Sequence, residues 1–109
     1  MSIEERLLEV KEYTEKGYAP VVDYGVWRVA VLNYNEGAQP QNITELERHN
    51  ETDEVFVLLK GKCILIIGDG DENATAIYAQ DMEPLKIYDI KKAVWHSTVL
   101  SEDASVLIV

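Results

Sequence analysis

One cysteine, Cys63, stands in the whole chain. That excludes an intrachain disulfide and a cysteine-based zinc site. It lies in the apolar run KCILIIG, where a lone thiol behaves as a small hydrophobe rather than a nucleophile. Positive charge is scarce too: ten Lys and Arg against twenty Asp and Glu give a net charge of −10. A nucleic-acid partner needs a basic footprint, and none is present. The same acidic field repels anions at a distance and attracts cations. No apolar run reaches membrane-spanning length, and the opening MSIEERLLEV is charged where a secretion signal would be apolar. A membrane partner is therefore not expected, and the expected location is the cytoplasm. Three N-x-S/T triplets, at Asn42, Asn50 and Asn73, read as chance in that setting. Internal repeats, low-complexity tracts and linkers are absent as well.

What the chain does have is enough apolar material for one small core: 109 residues, 47% of them hydrophobic. This predicts a single domain over 1–109. Residues 1–17 read as a helix. Ser2 and Glu5 form a capping box, Ile3, Leu7, Val10 and Thr14 fall on one stripe, and Gly17 is the stop. Residues 19–109 read as β-structure. The alternating run GVWRVAVLNYN (25–35) is followed by a loop, NEGAQPQN. Then come ITELERH (43–49), EVFVLLK (54–60), KCILIIG (62–68), ATAIYA (74–79), LKIYDI (85–90), VWHSTVL (94–100) and SVLIV (105–109). Short turn clusters separate them, among them GDGDEN, a hairpin turn that lacks the spacing and terminal glutamate of a calcium loop. Strands at this density predict an all-β sandwich or barrel. Strands 54–60 and 62–68 are apolar on both faces, which predicts outer cover from the helix or from a second copy in a homodimer.

The chemistry gathers around RHNETDEVFVLLKG (48–61). Strand alternation puts Glu45, Glu47 and His49 on one face, with Leu46 and Arg48 on the other. The NETD turn then reverses the chain, so that Glu54 opens the next strand close to His49. Carboxylates facing an apolar lumen need a cation, a donor or water. The second of the chain's two histidines, His96, lies far away in another apolar strand. The plain alternatives are a surface His49 bonded to a neighbouring acid, and a solvated acidic rim. Trp27, Tyr88 and Trp95 read as core or as pocket wall, and Arg28 as a partner for a barrel acid or a substrate carboxylate.

In these residues the chain resembles the cupin family. The first cupin motif, His-x-His, three or four residues, Glu, six residues, Gly, is matched in its intervals by Glu47-x-His49, Glu54 and Gly61. The second, Pro-x-Gly-x-x-His with Asn four positions on, keeps only His96, with Lys91, Ala93 and Leu100 at the other places. The resemblance covers about residues 25–109. It implies a cupin-like double-stranded β-helix, or jelly-roll barrel, with the predicted N-terminal α-helix outside it. It also implies a divalent metal (Mn, Fe, Ni or Zn) at His49, Glu54 and His96. Glu47 stands where the first histidine ligand would be, as a fourth ligand or a general base. Two histidines with a carboxylate suit non-haem iron and its neighbours. The implied function is binding of a metal and a small polar metabolite, a sugar or a hydroxy or keto acid, in the lumen. Two other functions remain open: a metal-free sugar isomerase or epimerase using His49 or His96 as base, and a small-ligand binding module without catalysis.

Overall fold

The computed structural model describes residues 3–42 and 45–109. Eight strands run through it: β1 (Tyr18–Tyr24), β2 (Trp27–Asn33), β3 (Glu54–Lys60), β4 (Cys63–Asp69), β5 (Ala76–Asp81), β6 (Tyr88–Ile90), β7 (Trp95–Leu100) and β8 (Ser105–Ile108). They form two antiparallel sheets, one of five strands in the order β1-β2-β8-β3-β6 and one of three in the order β5-β4-β7. The fold is mostly β, as the period-two patterning requires.

The core lies between the sheets. Phe56, Leu58, Val106, Ile108 and Ala30 come from the larger sheet, and Cys63, Leu65 and Leu100 from the smaller. Leu58 and Val106 face each other across β3 and β8 and are the largest of the fully buried side chains among the described residues. Burial of each is worth about 1.5–3 kcal/mol. Burial also pushes the Cys63 thiol up to about 12, so it stays protonated and inert.

Two tight connections shape the sheets. The β1–β2 hairpin turns at Gly25 (φ +57°), the positive-φ first loop residue that suits the strands' twist. Gly61 (φ +74°) turns β3 into β4 beneath the backbone of Ala104, where an added Cβ would lie 2.6 Å from the Ala104 Cα. Only glycine fits there.

The N-terminal α-helix expected over 1–17 does not form in the described residues. One turn closes, with the Leu7 and Leu8 amides donating to the Glu4 carbonyl, and the chain then runs on without regular structure to β1. The capping Ser2 lies outside the described residues. The reason is packing. A short amphipathic helix is marginal without a surface for its apolar face, yet Leu7 is 65% and Val10 89% exposed. Nearer β1, Asn33 claims the backbone instead: its side-chain amide donates to the carbonyls of Tyr13 and Glu15, and its backbone amide to that of Gly17.

The other differences are of extent. β1 precedes the first strand named from the sequence, 25–35, and the 35–42 loop contains two short 3-10 turns, Glu36–Ala38 and Pro40–Asn42. The strand read over 43–49 is reduced to one bridge, Glu47 to His96, with residues 43 and 44 outside the described set.

Candidate metal centre

Residues 45–49 lie along the free edge of β7. The Glu47 amide donates to the His96 carbonyl (2.9 Å) and the His96 amide to the Glu47 carbonyl (2.7 Å). Farther on, the Ala93 amide donates to the His49 carbonyl (2.7 Å). Alternation holds although the pairing is short. Leu46 packs toward Gly68 on one side, and the Arg48 guanidinium sits 4.4 Å from the centre of the Trp95 ring. Arg48 Nη1 and Trp95 Nε1 both donate to the Asp71 carbonyl. These outward contacts fix the inward direction of Glu45, Glu47 and His49, which all line one cavity of about 570 Å³. In the NETD turn, Asp53 Oδ1 accepts from the Lys92 amide, so both ends of the turn are tied to residues 92–93.

Glu54 opens β3 and points into the same cavity, one place before the buried Phe56 on that face. Its two oxygens divide between the two imidazoles: Oε2 lies 3.1 Å from His49 Nε2, and Oε1 3.3 Å from His96 Nε2. The imidazole centres are 5.3 Å apart. His49, Glu54 and His96 each offer a ligand atom, all within 4.8 Å of one another. They come from the β7-edge segment, β3 and β7, and thus from both sheets.

The donor set suits a divalent ion. Two ligand atoms about 2.1 Å from one ion at right angles stand roughly 3.0 Å apart. Each Nε2 has one Glu54 oxygen near that distance, and the trio would draw inward from its 4.8 Å spread to meet a single ion. The Nδ1 of His96 lies 3.1 Å from the Val94 carbonyl. Donation there fixes the tautomer and leaves Nε2 as the lone-pair face toward Glu54, as a ligating histidine requires. Burial alone would lower the His96 pKa. The Glu54 hydrogen bond, the Val94 carbonyl and the charges of Glu54 and Glu47 outweigh burial and raise it above 6.5. The site therefore stabilises positive charge, a proton or a metal ion.

Glu47 lines the cavity, but its carboxylate is not one of the mutually close ligand atoms. Its nearest tie to the centre is the backbone bridge to His96. The aromatic candidates divide: Trp27 lines an adjoining cavity, Tyr88 a separate one between the sheets, and Trp95 packs under Arg48. Tyr18 and Thr98, which sequence reading did not single out, also line the cavity that holds His49, Glu54 and His96. Thr98 was legible from alternation, two places after His96. Tyr18 was not, because its strand was not recognised.

No protein-family model matches the sequence. No curated protein matches it either. Solved structures do. A cupin-2 domain protein from Shewanella frigidimarina superposes over 87% of this chain and 81% of its own with a TM-score of 0.60, at 17% identity. The fold is a cupin fold. An oxalate oxidase aligns over 98% of this chain and 57% of its own (TM-score 0.59, 13% identity). The hydroxypropylphosphonic acid epoxidase from S. wedmorenis aligns over 84% and 42% (TM-score 0.54, 10% identity). This chain thus spans about half the length of these two enzymes. At such identities the likeness fixes the cupin architecture and leaves activity to the site. Among the described residues no helix is long and apolar enough to cross a membrane.

Proposed function

We propose that this chain is a small cupin-fold protein that binds a divalent metal ion through His49, Glu54 and His96 and presents it to a small polar metabolite in the lumen. The observation that carries the reading is the convergence of those three side chains from separate elements, with ligand atoms within 4.8 Å. A bound ion would supply Lewis acidity to an oxygen of the metabolite. Glu47, on the cavity wall, serves as a fourth ligand or as the base that takes a proton from it. Manganese, iron, nickel and zinc all suit two imidazoles and a carboxylate. The surrounding shape is taken to be the jelly-roll barrel of the fold, in the cytoplasm. Exposed apolar side chains such as Ile77 and Tyr78 on β5 favour a homodimer.

Elemental analysis of tag-free protein, with calorimetric titration of Mn, Fe, Ni and Zn, tests the reading. Stoichiometric binding that disappears in His96→Ala is the expected result. Absence of any ion and of any metal-dependent rise in Tm would overturn it. The metal-free alternative, an isomerase or epimerase using a histidine base, draws on the two imidazole–carboxylate contacts. Turnover that survives exhaustive chelation would select it.

A further inference from the structure

The larger sheet arranges its inward side chains in rows across β2, β8 and β3. One row is Leu32, Val106 and Leu58, and the next is Ala30, Ile108 and Phe56. Alternation continues the pattern by one row, with Arg28 on β2 and Glu54 on β3. The guanidinium thus belongs to the same row as the metal-centre carboxylate, two strand spacings or roughly 10 Å away in backbone terms. Both residues line the metal-centre cavity and the cavity adjoining it. Arg28 is the one Lys or Arg among the described residues that line the first.

Its position depends on a bulge. Register runs Pro20 to Ala30 and then Val22 to Val29, so Val21 is an extra residue in β1. Had the register run on unbroken, Val21 would pair with Val29 and Val22 with Arg28; the bulge places Asp23 opposite Arg28 instead. Asp23 Oδ1 accepts from Arg28 Nε at 2.7 Å. That pair is more than half exposed and adds little to stability. Its consequence is orientation: Nε is committed to Asp23, and the Nη groups have no carboxylate partner among the described residues.

Resting on the metal reading above, we infer that Arg28 is the specificity residue of the lumen. It takes the far carboxylate of a small dicarboxylate-sized ligand whose other end, a hydroxy- or keto-acid group, meets the ion at His49, Glu54 and His96. A neutral sugar offers this guanidinium hydroxyl acceptors but no charge-assisted, bidentate partner. The net charge of −10 and the acids at the cavity wall disfavour anions that lack both anchors. Asp23 acts through Arg28 as a positioning residue.

The test is calorimetric titration of the full chain loaded with Mn(II), using malate and the monoamide of malate at the carboxyl remote from the hydroxyl. The two share the chelating end and differ in the charge at the far end. Malate is expected to bind about tenfold tighter, a charge-assisted arginine contact discounted for exposure. Arg28→Gln should erase that preference with the Mn(II) affinity unchanged, and Arg28→Lys should keep part of it. Equal affinities in the wild type, no binding of malate, or a preference that survives in Arg28→Gln would each overturn the inference while leaving the metal reading intact. Failure of Mn(II), Fe(II), Ni(II) and Zn(II) alike to bind the wild type would remove the metal reading, and this inference with it.

Discussion

The two motif-bearing stretches, 47–61 and 91–100, invert each other. The first keeps every interval of its motif, yet its histidine sits on a short edge segment with the side chain 49% exposed. The second has lost most of its motif, yet its histidine is built into β7 with the side chain 7% exposed. Motif intervals record turn geometry: how many residues lie between His49 and Glu54, and where glycine must reverse the chain. They say little about how firmly a side chain is held, because burial is set by strands distant in sequence.

The same inversion runs through two backbone positions. Gly61 and Ala93 have nearly the same left-handed conformation, φ +74° and +67°. Gly61 is required there by both conformation and space. Ala93 occupies the place of the second motif's glycine and carries a Cβ in a region that costs a non-glycine residue roughly 1 kcal/mol. Its amide nevertheless holds the His49 carbonyl. The second stretch thus holds a left-handed backbone at the glycine position without the residue that adopts it freely.

Substitutions can break this comparison, the largest first. Gly61→Ala drives a Cβ into the Ala104 backbone and should destabilise the protein by roughly 3 kcal/mol, read as a lowered denaturation midpoint. A loss below about 1 kcal/mol would mean that the 103–104 turn yields easily. The histidines come next. Without metal, His96→Ala should cost about 2 kcal/mol for the cavity it opens beside Phe56, and His49→Ala less than about 0.5. Both should abolish metal binding alike. Equal stability losses would show that the two halves are held equally.

Ala93→Gly should raise stability by about 1 kcal/mol in thermal or chemical unfolding, because glycine relieves the positive φ. A loss would argue that Ala93 is packed rather than strained. The smallest effect is electrostatic. His96 has a folded pKa above 6.5, so its contribution to metal-free stability is full below that value and fades as pH rises through the folded pKa. The Tm advantage of wild type over His96→Gln should therefore shrink from pH 6 to pH 8. Metal affinity should move the opposite way and rise with pH, because the ion displaces the same proton. An advantage that grows with pH in the metal-free protein would reverse the assigned sign.

Much of the fold was legible. EVFVLLK was read to the residue as β3, and β4, β5, β7 and β8 to within a residue or two, because alternation bounded by turn residues is a local signal. The helix over 1–17 failed because its pattern was real but no surface came to cover it. β1 was missed because YAPVVDY mixes a proline, a bulge and exposed positions, which blurs the period of two. At the site, spacing brought His49 to Glu54, and alternation gave Glu45 and Glu47 their shared face. That Glu54 would divide its oxygens between two imidazoles was not legible, since His96 arrives through the bridge of β7 to Glu47, on an edge segment remote in the chain.

By itself the sequence determined a β-rich, acidic chain with an inert thiol, twenty acids against ten bases, and a histidine and a glutamate separated by one turn. These are properties of composition and of neighbours along the chain, which backbone geometry fixes over a few residues. Only the tertiary structure decided that His96 joins His49 and Glu54 in one cluster and that Arg28 shares a row with Glu54. Those placements depend on strand order, register and one bulge, and the energies behind them come from burying side chains that are remote from one another in the chain.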